Sequence, residues 1–226
     1  MKKEFKICTV VQGKNLELFL KNLKGALASA NMVELRADSI ANFKIEDVAT
    51  LKRATKLPSI FTFRYKKEGG LFTGDIAKQN NILKKAFELG FTFVDVAHGN
   101  PILKKLNEKE KTRLLLSWHN NKGTPSESEL YSILNKMRRA QPAIIKMATF
   151  INHWQDIATL VSLLKKRKSN EKLVVIGMGE KGKITRLTFP LMGSHIAYVT
   201  IKGEKSIAPG ILTEGELQPM IRYFNE

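Results

Sequence analysis

One cysteine, Cys8, occurs in 226 residues, so no intrachain disulfide can form. A reducing compartment is the expected setting. Cys8 lies in the apolar run 5–11, where it reads as a small buried hydrophobe rather than a nucleophile. Long apolar runs are also missing. None approaches the roughly 20 residues that a membrane-spanning helix requires. The apolar stretch after Met1-Lys2-Lys3 is broken by Lys6 and stopped by Gln12-Gly13, too short for a signal core. A cytoplasmic protein with no membrane partner is therefore expected. No two histidines have the helical spacing of a metal site, so no metal is expected. No Pro/Gly/Ser-rich linker, low-complexity stretch or clear repeat divides the chain, and residues 1–226 are read as one domain. With 43% hydrophobic residues, a chain of this length can build a full core without covalent staples.

Negative charge is scarce. Asp and Glu number 21 against 38 Lys and Arg, a formal net charge of +17. Such an excess suits nucleic acid, or a basic surface that aids solubility and attracts small anions. The basic residues come as dispersed pairs, such as Lys66-Lys67, Lys84-Lys85, Lys104-Lys105 and Arg138-Arg139. No zinc-finger spacing or aromatic–basic alternation accompanies them. A small anionic partner is expected, and no nucleic acid.

Short apolar runs do occur, at residues 5–11, 32–35, 59–63, 91–96, 112–116, 143–147, 172–176 and 196–201. Each precedes an amphipathic, lysine-rich segment, at residues 15–29, 45–56, 75–89, 101–107, 127–139, 154–168, 184–192 and 214–224. In the first of these, Leu16, Phe19, Leu20, Leu23 and Leu27 share a helical face. Gly74-Asp75 and Pro125-Ser126 have the chemistry of helix starts. Strands bounded by helices imply parallel pairing through right-handed crossovers. This alternation predicts an α/β fold, a single (β/α)₈ TIM barrel, though the chain is shorter than the typical ~250 residues. A doubly wound open sheet is the alternative.

Catalytic groups of such barrels sit at the C-terminal ends of the strands. Those ends are polar here: Glu34-Leu35-Arg36, Thr62-Phe63-Arg64, Val94-Asp95-Val96 and Ser117-Trp118-His119. Residues two apart in a strand share a side, so Glu34 joins Arg36, Thr62 joins Arg64, and Ser117 joins His119. Lys146 stands inside the apolar strand 143–148, where a surface lysine is out of place. Burial and nearby arginine charge would disfavour its ammonium form, and a neutral amine can attack a ketone to form an imine. A lysine snorkelling from the strand end is the bland alternative. His119 has the chemistry of a general acid/base or of a hydrogen-bonded structural group. His98, His153 and His195 lack such a setting and are read as structural. The run Gly177-Met178-Gly179-Glu180-Lys181-Gly182 matches the dinucleotide fingerprint. It comes too late in the chain for a βαβαβ half to follow, so it is read as a glycine turn shaping the site.

Taken in order, these segments resemble the type I 3-dehydroquinate dehydratase family over nearly the whole chain. The resemblance also takes in Glu68-Gly69-Gly70, Lys146-Met147-Ala148, Thr185-Arg186-Leu187, Gly193-Ser194 and Ala208-Pro209-Gly210. It implies that Lys146 forms a Schiff base with the C3 ketone of 3-dehydroquinate and that His119 shuttles protons. It implies a carboxylate, Glu68, paired with His119, and substrate contacts from Glu34, Arg36, Arg64 and Arg186. Water would be lost by syn elimination to give 3-dehydroshikimate, without a cofactor. Association as a homodimer is compatible with this reading. Several positions depart from the family pattern: Ile207 stands for Ser, Ile211 for Gln, Ala97 for Glu and Thr185 for Ser. Ile207 and Ile211 fall on the substrate-facing lid. Another imine-forming barrel lyase, such as a class I aldolase, or a catalytically impaired barrel with a binding role are the competing expectations.

Overall fold

Apolar, β-branched segments buried on both faces require cover on both faces, which a ring of helices around a closed parallel sheet supplies. The computed structural model describes residues 5–201 and 210–225. The eight expected strands are β1 (Lys6–Val11), β2 (Val33–Arg36), β3 (Ser59–Thr62), β4 (Phe93–Ala97), β5 (Leu114–Asn120), β6 (Ile144–Phe150), β7 (Leu173–Met178) and β8 (Ile196–Thr200). A two-residue β9 (Leu212–Thr213) adds to β8. All of the pairings are parallel, and the hydrogen-bonded order runs β7-β6-β5-β4-β3-β2-β1-β8-β9. The order never reverses direction as a doubly wound sheet would. The chain is a (β/α)₈ barrel.

The barrel closes between β7 and β8, and the closure is thin. Lys6 and Leu173 hold His195 from either side: Lys6 N–H donates to His195 O at 3.1 Å, and His195 N–H donates to Leu173 O at 2.9 Å. One step higher, Val175 N–H donates to the side chain of Ser194 at 3.1 Å. Among the described residues no β-ladder joins the two strands.

The helices are α1 (Leu16–Ala26), α2 (Ile45–Ala54), α3 (Ile76–Glu88), α4 (Glu108–Lys111), α5 (Glu127–Arg138), α6 (Trp154–Lys165), α7 (Lys183–Leu191) and α8 (Glu214–Asn225). Asn15, Asp75 and Ser126 cap α1, α3 and α5 by accepting from Leu18, Lys78 and Glu129 N–H. Among the described residues no helix is long and apolar enough to cross a membrane. Phe19 and Leu23 of α1 are buried in an apolar layer between strands and helices. A second apolar cluster fills the barrel itself, with Cys8, Ile60, Leu115, Ile144, Val174 and Tyr198 among its members. Alternation along each strand divides residues between these two layers.

Two expectations need correction. The helix read at residues 101–107 is a 3₁₀ turn, Pro101–Lys105, followed by the separate short α4. Asn107 starts that helix rather than ending one. Its side chain accepts from Glu110 N–H, and the Glu110 carboxylate accepts from Asn107 N–H, a reciprocal cap that halts the preceding turn. Strands β5, β6 and β7 also run beyond their apolar cores, to Asn120, Phe150 and Met178. Polar residues stay in register there, Ser117 beside Lys146 and His119 beside Ala148, so the reactive side chains stand on paired strands rather than loops.

The Ser194 bond makes the closure testable. Ser194→Ala leaves Val175 N–H buried with no acceptor, which costs about 1–3 kcal/mol. The denaturant midpoint should fall with little change in slope. An unchanged midpoint would mean that closure does not depend on this hydroxyl.

Candidate active site

The inward positions of consecutive strands meet at the C-terminal end of the barrel. From β2 come Glu34 and Arg36, from β3 and the residues after it Thr62 and Arg64, from β4 Asp95, from β5 Ser117 and His119, and from β6 Lys146. All but His119, which is half-buried, are almost fully buried. Glu34, Arg36, Arg64, His119 and Lys146 line a cavity of about 350 Å³, together with Arg186, Tyr198 and Ile211. Its apolar side is formed by Val10, Ala148, Phe150, Ile176 and Met178.

Lys146, 5% exposed, extends across the barrel. Its Nζ donates to Glu34 Oε1 at 3.3 Å, lies 3.8 Å from Asp95 Oδ2, and sits 4.2 Å from the centroid of the Tyr198 ring. The charges that touch it are carboxylates, where the sequence suggested arginine. Glu34 Oε1 also accepts from the Thr62 hydroxyl at 3.0 Å.

Arg64 is the most heavily engaged group. Its Nη2 donates to Asp95 Oδ2 at 2.6 Å and to Ser117 Oγ at 3.0 Å, and its Nη1 lies 3.0 Å from His119 Nε2. Ser117 Oγ in turn donates to Asp95 Oδ1 at 2.6 Å. Burial would raise the Asp95 pKa, but the charges of Arg64 and Lys146 and these hydrogen bonds hold it below the usual range. A guanidinium has no acceptor, so His119 Nε2 accepts from Arg64 and the imidazole proton sits on Nδ1. Burial, then the charges of Arg64, Lys146, Arg36 and Arg186, push the His119 pKa well below the ordinary histidine value. The ring is held in its neutral form.

Arg36 is gripped by Asp38, with Nε to Oδ1 at 3.0 Å and Nη2 to Oδ2 at 2.8 Å. Asp38 Oδ2 also accepts from Leu71 N–H at 3.0 Å, tying the loop after β3 to the end of β2. Arg186, on α7, differs from the other two arginines. Burial drives its pKa down to about 10, and the charges of Tyr198 and Glu34 oppose this only in part. In Arg36 and Arg64 the adjoining carboxylates outweigh the same burial, and their pKa values rise. Around the cavity, Arg36, Arg64, Lys146 and Arg186 are buried with Glu34, Asp38 and Asp95. Among the side chains that line the cavity, four are basic, Arg36, Arg64, Lys146 and Arg186, and one, Glu34, is a carboxylate, a lining that suits an anionic ligand. Among the described residues no group of His, Cys, Asp and Glu is arranged to hold a metal ion.

A family model described as Type I 3-dehydroquinase matches residues 7–226. The chain belongs to the type I 3-dehydroquinase family. It is 36% identical over 220 residues to the 3-dehydroquinate dehydratase of Coxiella burnetii (strain CbuK_Q154), spanning 97% of this chain and 93% of that protein. The solved 3-dehydroquinate dehydratase of Aquifex aeolicus VF5 superposes with a TM-score of 0.82 at 26% identity, covering 97% of this chain and 99% of that one. That of Geobacillus kaustophilus HTA426 superposes with a TM-score of 0.87 at 23% identity, covering 98% and 91%.

Of the residues that the resemblance to type I 3-dehydroquinases singled out, Glu34, Arg36, Arg64, His119, Lys146, Arg186 and Ile211 all line the one cavity. Ile207 lies outside the described residues. Glu68 lies on the loop after β3. It ends a 3₁₀ turn, Lys66–Glu68, and makes no hydrogen bond to His119, whose Nε2 is occupied by Arg64. Its Oε2 is buried without a hydrogen-bond partner, and its pKa is raised, by burial first and by Asp95, against the lowering charges of Arg64 and Lys67. Sequence reasoning missed Asp95 and Ser117 as the holders of Arg64, although both stood at strand ends on the inward face. It also missed Tyr198, hidden in an apolar strand with no polar neighbour to mark it.

The neutral His119 has a consequence for stability. The unfolded chain protonates this imidazole near its ordinary value of about 6.5, and the folded chain only at lower pH. Acidification through that value therefore adds protons to the unfolded state first and lowers stability. His195, held at about 4 by burial and by Lys172, Lys6 and Arg167, acts in the same direction. His119→Gln should flatten the loss of unfolding free energy below about pH 6.5. Nitrogen-15 NMR of the unsubstituted protein at pH 6 should find the ring neutral and protonated at Nδ1. A ring that titrates at the ordinary value would contradict this electrostatic account.

Proposed function

We propose that this chain dehydrates 3-dehydroquinate to 3-dehydroshikimate through an imine on Lys146. The observation that carries the reading is a buried lysine lining a cavity with three arginines and one carboxylate, with a histidine of depressed pKa on the same space. Family membership supports the substrate, since the Coxiella burnetii relative is named 3-dehydroquinate dehydratase.

In this reading Nζ passes a proton to a neighbouring base and adds to the C3 ketone. His119 assists loss of water from the carbinolamine, which leaves a protonated imine. The iminium then draws the electron pair of the C2–H bond into an enamine as that proton moves to His119 Nε2. Release of Nε2 from Arg64 is required at this point. The enamine expels the C1 hydroxyl, which leaves as water with the proton that His119 returns. One base on one face gives syn elimination. Water hydrolyses the product imine, frees 3-dehydroshikimate and restores Lys146. Arg186 holds the substrate carboxylate, whose charge would offset what burial takes from the guanidinium. Glu34, Arg36 and Arg64 contact the ring hydroxyls from fixed positions, and Glu68 serves as a second carboxylate near the mouth. No cofactor enters the scheme.

Borohydride added together with 3-dehydroquinate should reduce the imine and fix an adduct on the peptide that carries Lys146. In parallel, ultraviolet absorbance should report the conjugated product. An adduct on Lys181 or Lys202 in place of Lys146 would overturn the assignment.

Ile211 packs at the cavity edge against the apolar cluster inside the barrel. It presents a methyl surface to a polyhydroxylated substrate, and a stranded buried polar group costs about 1–3 kcal/mol. Ile211→Gln should therefore lower KM by roughly tenfold, with a smaller change in kcat. Combining it with Ile207→Ser should lower KM further. No change in KM, or a rise, would mean that this segment does not contact substrate.

A further inference from the structure

Tyr198 of β8 lines the same cavity, yet no step of the proposed reaction uses it. Its hydroxyl is buried and makes no hydrogen bond among the described residues. Buried tyrosines generally find a partner for that group, so the polar end does not account for the residue here. The ring does have a partner. Lys146 Nζ lies 4.2 Å from its centroid, well inside the reach of about 6 Å for a cation over an aromatic face.

The three contacts of Nζ come from three strands, β2 through Glu34, β4 through Asp95 and β8 through Tyr198. None of these strands adjoins β6, whose neighbours in the sheet are β5 and β7. A long, flexible side chain is thereby suspended in mid-barrel. The contacts respond differently to the chemistry. An ammonium has three N–H donors and can serve both carboxylates. A protonated imine keeps the positive charge but has one N–H, so it cannot keep a hydrogen bond to each. The ring face binds charge without needing a particular N–H, so its hold survives the conversion.

We propose that Tyr198 is a positioning residue for Lys146, its ring face holding Nζ in the cavity as ammonium before addition and as iminium after it. The inference rests on the imine reading of Lys146. It also makes the hydroxyl of Tyr198 dispensable and the electron density of its ring essential.

The test replaces Tyr198 with phenylalanine and then with 4-fluoro-, 3,5-difluoro- and 3,4,5-trifluorophenylalanine, with Tyr198→Leu as the ringless variant. Fluorine drains the ring face while nearly keeping its shape. The readouts are kcat, KM and the fraction of Lys146 trapped by borohydride at saturating 3-dehydroquinate. Tyr198→Phe, which keeps the ring face and drops a hydroxyl without a hydrogen-bond partner, is the reference of the series and should exceed every fluorinated variant and Tyr198→Leu in kcat and trapped fraction. Each further fluorine should lower kcat and the trapped fraction stepwise. The trifluoro and leucine variants should end roughly tenfold down, the scale of a partly desolvated cation–π contact. KM should move less, and unfolding midpoints should stay together across the fluorinated series. A flat series with normal trapping would overturn the role of the ring and leave the imine standing. Absence of any Lys146 adduct in the unsubstituted protein would overturn the imine, and this inference with it.

Discussion

Arg64 and Asp95 lie 2.6 Å apart where water barely reaches, and the upper half of the barrel is arranged around that contact. Arg64 follows β3, Asp95 belongs to β4, Ser117 and His119 to β5, and Lys146 to β6. The pair thus reaches side chains on the next two strands, through the Ser117 hydroxyl, the His119 ring and the Lys146 amine. Breaking one side of a buried ion pair strands the other charge and costs about 3–5 kcal/mol. A well-packed apolar pair of similar volume would hold strands together as well. What it would not do is fix the tautomer of His119 or set a carboxylate beside Nζ. The geometry therefore serves the chemistry of the cavity more than the stability of the barrel.

A second pair, Arg36 with Asp38, does the same for the rim. Asp38 accepts from Leu71 N–H, and Arg36 Nη2 lies 3.5 Å from the carbonyl of Gly69. The loop carrying Glu68 is thereby fastened to β2. Gly70 sits so close to the carbonyl of Arg64 that a Cβ would lie 2.1 Å from its oxygen. A larger residue there would lift the loop and disturb Arg64 as well. Loop and ion pairs form one connected unit, so a group that enters the cavity meets side chains already fixed in place.

The fold was legible because period-2 and period-3.6 patterns each impose one way of burying apolar surface. The same periodicity placed Glu34 with Arg36 and Ser117 with His119 on the inward face before any contact was known. Lys146 was legible as a charge in an apolar strand. Pairing was not legible. Sequence spacing says that Asp95 faces inward, but not that it holds Arg64 in preference to Lys146, a choice made by distances across the barrel. For the same reason the contact of Arg64 with His119 Nε2 was not foreseen. The 3₁₀ turn before α4 was missed because Asn107 reads equally well as the end of one helix or the cap of the next. Tyr198 left no signal because an aromatic in a buried strand is most simply core.

Arg186 reaches the cavity by a different route, and the glycine run explains how. Every other cation of the site stands on a strand or just beyond one, whereas Arg186 stands on α7. That helix packs against both β7 and β8, which among the described residues share no ladder and are joined through Ser194 and His195. Its side chain lines the cavity although its backbone lies outside the sheet. The helix must start very near the end of β7 to lie there. A Cβ on Gly182 would come within 2.5 Å of the Gly177 carbonyl carbon, and one on Gly177 within 2.9 Å of Thr185. Thr185 locks the turn, its hydroxyl accepting from Gly177 N–H at 2.9 Å and donating to Gly182 O at 2.7 Å. In a dinucleotide fold the same spacing of glycines lets backbone approach a pyrophosphate and a helix approach a strand. In this barrel the turn approaches its own backbone, and Thr185 with its neighbour Arg186 is thereby held beside the end of β7. The fingerprint was a true report of a tight strand-to-helix turn, and the turn delivers a guanidinium where the dinucleotide fold would seat a phosphate.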